Sequence, residues 1–423
     1  MIFTVRKDSP QSASRPAPLR PRSNRRTKIV ATIGPASGDA RTLERMIDAG
    51  VDCARVNCSH ASREQLREQT DAVRAAAARV GRPVALLVDL QGPKLRLATD
   101  TLPRPLAAGD AVTFAGVAPG EPPPDGAVGV ALPDFAALVS SDSEIVVGDG
   151  LPRLEVTAVE PPLVHARATS AGPLAPGKGV FVTHARPLLP ALTDKDRADL
   201  QTAIELDADF VALSFVRSAA DVLELRKLLD AAGSRARVVA KIEKVEAFER
   251  LDGILDVADG IMIARGDYGV EAGVEHVPPM QKEAIRRAAA LGKLTITATQ
   301  MLESMIASAE PTRAEVADVA NAVLDGTSAV MLSAETGIGA HPVEAVRRMA
   351  QIAAVAERAS AITAGAPRAG RSTEEVVMRA AVLLAEDVGA EAIVVPAATG
   401  ATARACARHR PSVPVVALLA DAR

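Results

Sequence analysis

Charged and hydroxyl side chains stand at the ends of several short apolar segments. Lys241 and Glu243 close the segment RVVAKIE (237–243), Asp267 follows the segment 260–265, and Thr299 ends the segment 294–299. Two carboxylates from neighbouring segments, completed by substrate oxygens and water, are a common way for proteins to hold Mg²⁺. The pattern predicts a magnesium (or manganese) site at Glu243 and Asp267.

Four cationic side chains accompany these carboxylates, namely Arg55, Lys94, Arg96 and Lys241. Such a set suits a substrate that carries several negative charges, and a phosphorylated substrate bridging metal and cations explains both groups together. Phosphoryl transfer depends mainly on positioning and charge stabilisation. The alternative is that pairs such as Lys241–Glu243 and Arg265–Asp267 are ordinary salt bridges.

Eight apolar, β-rich segments alternate with helix-period segments, and this rhythm must position the charged residues. The segments are 28–33, 53–58, 84–90, 210–215, 237–243, 260–265, 294–299 and 328–333. Each is apolar along most of its length, as a strand buried on both faces should be. Eight βα units predict a (β/α)8 TIM barrel, in which the carboxyl ends of the strands converge on one site.

Two further units interrupt or follow this rhythm. Residues 98–187 contain short alternating segments separated by Pro and Gly, which predict an inserted small β-barrel lid domain. We expect the catalytic barrel over 25–97 and 188–361, and a short, truncated C-terminal α/β domain over 371–423. Residues 1–24, rich in Arg, Ser and Pro, are expected to form a disordered basic tail.

Composition excludes several functional classes. The formal charge is only −3, and the chain has seven Phe, one Tyr and no Trp, so neither a basic surface nor stacking aromatics predict nucleic-acid binding. No apolar run reaches the roughly 18 residues of a membrane span. Three cysteines without metal-type spacing indicate a cytoplasmic protein.

The order of several motifs resembles the pyruvate kinase family. The longest are RRTKIVATIGPAS (25–37), ARVNCSHA (54–61), VDLQGPKLR (88–96), GIMIARGDYGVE (260–271), TATQMLESM (297–305) and PTRAEVADVANAVLDGTSAVMLSAET (311–336). The resemblance covers most of residues 25–420. It implies a barrel with a β lid and a C-terminal α/β domain, and transfer of phosphate from phosphoenolpyruvate to ADP.

The resemblance also implies roles for individual residues. Arg55 would grip the substrate phosphate, and Lys241 would stabilise the transferring group and the enolate. Glu243 and Asp267 would bind magnesium, Gly266 and Asp267 would line the substrate pocket, and Thr299 would stand beside the enol carbon. Nucleotide-contacting positions fall on Asn57, His60, Arg96 and Lys178.

One departure from the family concerns monovalent cations. The potassium position of the family corresponds to Asn57, Ser59, Asp89 and Leu90, where Leu replaces the usual Thr, and Lys94 replaces a usual Glu. A tethered ammonium near Asp89 would replace bound potassium and repel it. We therefore expect activity without potassium.

The resemblance further implies a homo-oligomer, tetrameric in the family. Two alternatives to an active kinase stay open, and the C-terminal segment, shorter than the family's usual one, favours the first of them. One is a truncated non-catalytic relative with a binding or regulatory role. The other is a metal-dependent carbon–carbon lyase acting on pyruvate-like acids, which would need neither the lid nor Arg96 and Lys178.

Overall fold

The computed structural model describes residues 25–59, 61–118, 120–148, 150–183, 185, 189–360, 372–397 and 400–418. The tail expected over residues 1–24 lies outside this range. None of the described helices combines the length and the apolarity that crossing a lipid bilayer requires.

The described chain begins with two βα units and a third strand. They are β1 (Lys28–Thr32), α1 (Ala40–Ala49), β2 (Cys53–Asn57), α2 (Arg63–Val80) and β3 (Ala85–Asp89). A reciprocal capping box between Ser62 and Gln65 begins α2, and left-handed Gly81 ends it. These local signals fix the ends of the helix, so that the return to β3 needs only a short loop.

The inserted segment forms a small β unit. Its elements are β4 (Leu95–Arg96), β5 (Arg104–Leu106), β6 (Ala111–Gly116), β7 (Val128–Val130), α3 (Phe135–Leu138), β8 (Glu144–Val147), β9 (Arg153–Glu160), β10 (Leu163–Ala168), β11 (Gly172–Leu174) and β12 (Gly179–Val182). Seven strands pair in the order β4-β12-β8-β9-β10-β6-β7, and β11 pairs with β5. A bridge from Leu97 to Val130 draws the two edges together, so the sheet curls into a partial barrel around its own core.

The chain then returns to the βα rhythm. The elements are α4 (Asp194–Glu205), β13 (Phe210–Leu213), α5 (Ala219–Ala231), β14 (Arg237–Ile242), α6 (Val245–Glu249), α7 (Leu251–Val257), β15 (Gly260–Ala264), α8 (Arg265–Ala272), α9 (Val277–Ala290), β16 (Leu294–Ala298), α10 (Arg313–Leu324), β17 (Ala329–Leu332), α11 (Ala334–Gly337) and α12 (Pro342–Ser360). One 3₁₀ turn, Val274–His276, lies between α8 and α9, and a second, Glu303–Ile306, lies between β16 and α10.

Eight parallel strands close into a barrel in the order β1-β17-β16-β15-β14-β13-β3-β2. All eight predicted apolar segments contain one of these strands, and the predicted TIM-barrel fold is confirmed. The partial β barrel between β3 and β13 and the short α/β unit that follows α12 also agree with the predicted architecture. The exact domain limits stay a prediction; β4 at Leu95–Arg96 already belongs to the sheet of the inserted unit.

A fourfold repeat of side-chain contacts ties the amino-terminal end of the barrel together. The residue just before every second barrel strand is a short polar one. Its side chain accepts a hydrogen bond from a backbone N–H near the start of the preceding barrel strand. The pairs are Asp52 with Ile29, Asp209 with Leu86, Asp259 with Val238, and Ser328 with Thr295. These contacts stabilise the end of the barrel opposite the charged residues, because they satisfy donors that begin the strands.

The C-terminal unit is small. It consists of α13 (Thr373–Asp387), β18 (Ile393–Pro396), α14 (Ala401–Ala407) and β19 (Val415–Leu418), with β18 parallel to β19. Its described buried apolar core is limited to Val382, Val395 and Cys406 with a few partly buried neighbours. So thin a core depends on further contacts with the barrel.

Candidate active site

The inward face of the barrel changes from apolar to polar or charged along several of the strands. Val30, Leu87, Val239 and Met262 belong to one apolar cluster inside the barrel. Because side chains alternate along a strand, the residues two positions further share their direction. Those positions include Thr32, Asp89 and Lys241, and Arg55 follows Cys53 in the same way. The period of the strands therefore brings polar side chains together at the carboxyl end.

Four charged side chains meet at the floor of this end. Arg55 donates through Nε to Asp89 Oδ2 (2.7 Å) and through Nη1 to Thr32 Oγ1 (2.9 Å). Lys241 Nζ lies 3.3 Å from Asp89 Oδ1 and 2.9 Å from Glu243 Oε1. Both carboxylates are about 1% exposed. The cluster is electrically balanced, two cations against two anions, as burial of charge requires.

The environment shifts the protonation of these groups. Burial alone would raise the pKa of Asp89, but Lys241 and Arg55 outweigh it and hold that pKa below its usual value. Burial alone would lower the pKa of Lys241, and Asp89 and Glu243 reverse this and raise it well above its usual value. Lys241 therefore carries its charge throughout the physiological range, as a group that stabilises developing negative charge must.

Glu243 and Asp267 fit a divalent cation. Glu243 Oε2 accepts the backbone N–H of Phe215 (2.7 Å), while its buried Oε1 has an ion-pair contact with Lys241 but no hydrogen bond. Burial raises the pKa of Glu243, Lys241 lowers it, and the nearby negative Asp267 raises it again, leaving it above its usual value. The described residues hold no cluster of three or more His, Cys, Asp or Glu ligands. Two carboxylates whose mutual repulsion a cation would relieve match the donor set that Mg²⁺ takes.

Lys94 does not contact Asp89, contrary to our expectation. Its Nζ lies 3.2 Å from Asp267 Oδ1 and 5.5 Å from the centre of the Phe181 ring of the inserted unit. Among the described ion pairs, those of Asp89 are with Arg55 and Lys241. Lys94 lies in the loop between β3 and β4. Because two cations already neutralise Asp89, that carboxylate attracts a third cation only weakly.

The apolar side chain of Leu90 cannot serve as a ligand for a monovalent cation. Its side chain is 1% exposed and belongs to the apolar cluster between the barrel and its helices. Its carbonyl accepts a hydrogen bond from Ser214 Oγ (2.6 Å). The position thus offers neither a side-chain oxygen nor a carbonyl without a partner.

Thr299 stands across from this floor in an unusual backbone conformation. Its φ is 68° and that of Gln300 is 53°, both in the left-handed region that β-branched and other non-glycine residues rarely adopt. Thr299 Oγ1 accepts the backbone N–H of Gly266 (2.9 Å) and donates to the Ala298 carbonyl (2.6 Å). The ends of β15 and β16 are therefore joined through one hydroxyl.

Arg265 does not pair with Asp267. Its guanidinium is buried and donates to Asp318 Oδ1 on α10 (2.7 Å). An Arg265–Asp267 salt bridge would require β15 to continue through both residues, because residues two apart on a strand lie on the same face. The chain instead enters α8 at Arg265, and residues two apart on a helix lie on nearly opposite sides.

A cavity of about 710 Å³ contains these groups and extends towards the inserted unit. Arg55, Lys94, Lys241, Glu243, Asp267 and Thr299 line it, as do Asn57, Ser59, Asp89 and Arg96. Asn57 Oδ1 accepts the Ser59 N–H (3.1 Å), and Arg96 Nη1 donates to the Gly177 carbonyl (3.0 Å). Lys178 lies in the inserted unit and is not among the described residues that line this cavity, and His60 lies outside the described residues.

Sequence reasoning missed two hydroxyl side chains in the cluster. Ser214 Oγ accepts a hydrogen bond from Lys241 Nζ (2.7 Å), and Thr32 Oγ1 accepts one from Arg55. Both stand two residues beyond an inward apolar residue, Ala212 and Val30 respectively. The period of two along the strands could have found them, although a lone Ser or Thr is a weak signal.

Comparison with known proteins gives matches along the described units. The model of "Pyruvate kinase, barrel domain" matches residues 24–346, and that of "Pyruvate kinase, alpha/beta domain" matches residues 375–423. A pyruvate kinase of Methylorubrum extorquens is 42% identical over 93% of this chain and 83% of its own length. One of Geobacillus stearothermophilus is 40% identical over 94% of this chain and 69% of its own. Pyruvate kinase 2 of Synechocystis is 41% identical over 93% of this chain and 67% of its own.

Proposed function

Because the chain belongs to the pyruvate kinase family, it transfers the phosphoryl group of phosphoenolpyruvate to ADP, and we propose that the charged cluster at the barrel mouth performs this transfer. A terminal phosphate oxygen of ADP attacks phosphorus, and the bond from phosphorus to the enol oxygen breaks. The electron pair stays on that oxygen as the enolate of pyruvate. The methylene carbon then takes up a proton, which completes pyruvate.

Arg55 and Lys241 are the cations that face the transferred group. Arg55 is held by Asp89 and Thr32, so its guanidinium is fixed before a phosphate arrives. Lys241, charged and only 12% exposed, stabilises the negative charge that grows on the enolate oxygen. Their electrostatic effect is large because both side chains are mostly buried.

Glu243 and Asp267 are the residues that would hold the divalent metal ion used by the family, Mg²⁺ or Mn²⁺. When bound, the ion would act as a Lewis acid on phosphoryl and enolate oxygens. Phe215, through its backbone N–H, keeps Glu243 oriented towards the cavity. Gly266 and Asp267 lie in the first turn of α8, and they are the residues we assign to the substrate pocket.

Thr299 is the residue we assign to the proton that reaches the enol carbon. Its hydroxyl is held between the Gly266 N–H and the Ala298 carbonyl, so it has a fixed direction. Asn57, His60, Arg96 and Lys178 are the proposed contacts for the nucleotide. Of these, Asn57 and Arg96 line the cavity.

The observation that carries this proposal is the convergence of Arg55, Lys241, Glu243, Asp267 and Thr299 on one cavity. Such a complete set favours catalysis over a non-catalytic relative. The presence of Arg96 in the same cavity, on a strand of the inserted unit, favours a nucleotide-dependent reaction over a carbon–carbon lyase.

The test is a coupled assay of pyruvate release from phosphoenolpyruvate, ADP and Mg²⁺. We expect Lys241→Met to lower turnover by on the order of 10³-fold, since it removes a preorganised charge. Lys227→Met, on an exposed position of α5, is the matched control and should leave the rate unchanged. Near-normal turnover by Lys241→Met would refute the assignment.

We further propose that the reaction proceeds without potassium. Asp89 is already neutralised by Arg55 and Lys241, Leu90 offers no free ligand, and Lys94 adds a positive charge to the same cavity. At matched ionic strength, the rate with tetramethylammonium as the only monovalent cation should equal the rate with potassium. Lys94→Glu should acquire a potassium requirement, and strong potassium activation of the unaltered protein would contradict the proposal.

A cytoplasmic homo-oligomer, tetrameric as the resemblance implies, completes the proposal. Exposed apolar side chains on α13 and β19, including Val376, Leu383 and Leu418, support association between copies, and the three buried free cysteines suit a reducing compartment. Light scattering coupled to size exclusion should give four chains. A monomer at micromolar concentration would contradict this part.

A further inference from the structure

Arg265 is a buried cation that the proposed reaction does not use. It begins α8 directly after β15, and its neighbour Ala264 lines the cavity. Arg265 itself is not among the described residues that line the cavity, and only 9% of it is exposed. A buried guanidinium needs several hydrogen-bond acceptors. The acceptors of Arg265 therefore show which part of the chain this side chain holds in place.

The guanidinium binds three successive carbonyl groups at the end of β16. Nε lies 3.2 Å from the carbonyl oxygens of both Ala298 and Thr299. Nη2 donates to the Thr299 carbonyl (2.7 Å) and to the Gln300 carbonyl (3.2 Å). These carbonyls belong to the turn that carries the Thr299 hydroxyl into the cavity.

The same turn is conformationally strained. Thr299 and Gln300 both have positive φ, and Thr299 is β-branched, for which this region is a true outlier. Such a conformation persists only where its surroundings over-determine it. The Nε and Nη2 donors of one rigid, planar side chain can do so, because the guanidinium fixes the relative orientation of consecutive peptide groups.

Asp318 fixes the guanidinium from the opposite side. Its Oδ1 accepts from Nη1 (2.7 Å), and Gln281 on α9 offers a second, longer contact (3.4 Å). Asp318 stands on α10 and touches neither the cavity nor Thr299. The chain of contacts therefore runs from α10 through Arg265 to the backbone of Thr299.

We propose that Arg265, oriented by Asp318, is a positioning residue that holds the Thr299 hydroxyl beside the place of the enol carbon. The inference rests on the proposed role of Thr299 in protonation. Because Gly266 follows Arg265 and binds the Thr299 hydroxyl, one turn of chain holds that residue from both sides. Phosphoryl transfer, which depends on Lys241 and Arg55 on other strands, does not rely on this contact.

The experiment measures protonation separately from the overall turnover. Exchange of the methyl hydrogens of pyruvate with D₂O, in the presence of Mg²⁺ and ATP, reports enolisation and can be followed by proton NMR. Arg265→Lys keeps the charge but cannot bridge three carbonyls. We expect it to slow exchange by at least about tenfold, the scale of a small misplacement of a reacting group, with less than a threefold change in the KM for phosphoenolpyruvate.

Three comparisons separate positioning from general stability. Arg226→Lys, which alters another partly buried Arg–Asp pair at the opposite end of the barrel, should leave exchange unchanged. Asp318→Ala, which leaves Arg265 in place, should slow exchange severalfold. Thr299→Ala should slow exchange at least as much as Arg265→Lys, and adding Arg265→Lys to Thr299→Ala should cause no further loss.

Two results would overturn the inference. One is normal exchange in Arg265→Lys while Thr299→Ala has lost it. The other is an additional loss in the double variant equal to that of Arg265→Lys alone, since independent effects multiply. If Thr299→Ala itself exchanges normally, the proposed role of Thr299 fails, and the inference about Arg265 fails with it.

Discussion

Four buried charges at the cavity floor are kept in place by residues that carry no charge. Ser214 contacts Lys241, and the backbone N–H of Phe215 binds Glu243. Both lie against Gly92, whose φ is 68°. A Cβ atom at position 92 would stand 2.8 Å from Ser214 Cβ and 2.9 Å from Phe215 Cδ2. The absence of a side chain at this residue is therefore a condition for the geometry of the charged cluster.

Gly92→Ala should consequently weaken metal activation. The new methyl group displaces Phe215, which orients Glu243, and loss of such an orienting contact typically weakens metal binding by about 10–100-fold. We expect the Mg²⁺ concentration for half-maximal rate to rise by about tenfold or more. Titration of the rate with Mg²⁺ measures this.

The matched control is Gly81→Ala at the end of α2. Gly81 has a φ of 70°, and nothing lies within 4 Å of a Cβ built there. It therefore isolates the backbone penalty, about 1–2 kcal/mol of stability, from the steric effect. Equal Mg²⁺ dependence in the two variants would contradict the explanation.

Helix α10 supports the site from outside the barrel. A reciprocal capping box begins it: the Thr312 hydroxyl accepts the Glu315 N–H, and the Glu315 carboxylate accepts the Thr312 N–H (2.7 Å). The same carboxylate accepts both the N–H (2.7 Å) and the hydroxyl (2.5 Å) of Ser304, in the 3₁₀ turn that follows β16. With Asp318 one turn later, α10 fixes the end of β16 at two points.

Glu315→Gln should reduce stability in a pH-dependent way. Burial alone would raise the pKa of Glu315, but hydrogen bonds from Ser304 and Thr312 outweigh it and lower that pKa. A lowered folded-state pKa means that the ionised group stabilises the protein above the unfolded value of about 4.3, and that this contribution disappears as the pH falls through the folded value. We expect a loss of about 1 kcal/mol at pH 7, the scale of a helix cap.

Urea unfolding at pH 7 and below pH 4 would measure the effect. The difference between Glu315→Gln and the unaltered chain should shrink at the lower pH. Glu283→Gln is the control, because Glu283 also has a lowered pKa from its bond with Arg286 but lies on an exposed helix face. A surface pair of this kind contributes little. A difference for Glu315→Gln that stays constant across pH would show that ionisation of the carboxylate is not the cause.

Across the whole molecule, the proposed catalytic cavity and the contacts of the C-terminal unit lie at opposite ends of the barrel. Arg410 donates to the carbonyls of Gly326 (2.6 Å) and Thr327 (2.7 Å), just before β17, and to Thr27 Oγ1 (3.1 Å) before β1. Arg408 reaches the Ala290 carbonyl at the end of α9 (3.3 Å). The thin C-terminal core is thus completed by polar contacts with the amino-terminal end of the barrel.

Arg410→Ala should loosen the C-terminal unit without affecting the chemistry. Removing the guanidinium leaves carbonyl groups without their donors, a loss of about 1–3 kcal/mol. Amide hydrogen exchange should become faster in α13, β18 and α14, with the barrel strands and turnover unchanged. Arg358→Ala, on an exposed position of α12, is the control. Unchanged protection of the C-terminal elements would refute this account of docking.

Local sequence pattern determined most of the architecture. Eight apolar segments of strand length, with a period of two in their polar ends, were enough to predict the barrel and the convergence of Arg55, Lys241, Glu243 and Asp267. The capping pattern at Thr312 and the turn-rich segment between β3 and β13 were equally readable. These signals are local, because helix caps, turns and strand alternation depend on neighbours within a few residues.

Only the tertiary structure decided which charges become partners. Arg265 binds Asp318 and the Thr299 turn instead of Asp267, since α8 begins one residue after β15 and turns the two side chains apart. Lys94 reaches Asp267 because Asp89 is neutralised by residues from two other strands. Which charged side chains form ion pairs depends on the distances between segments that are far apart in the chain. It also depends on the direction in which the chain leaves each strand. Residue types and their spacing in the sequence contain neither kind of information.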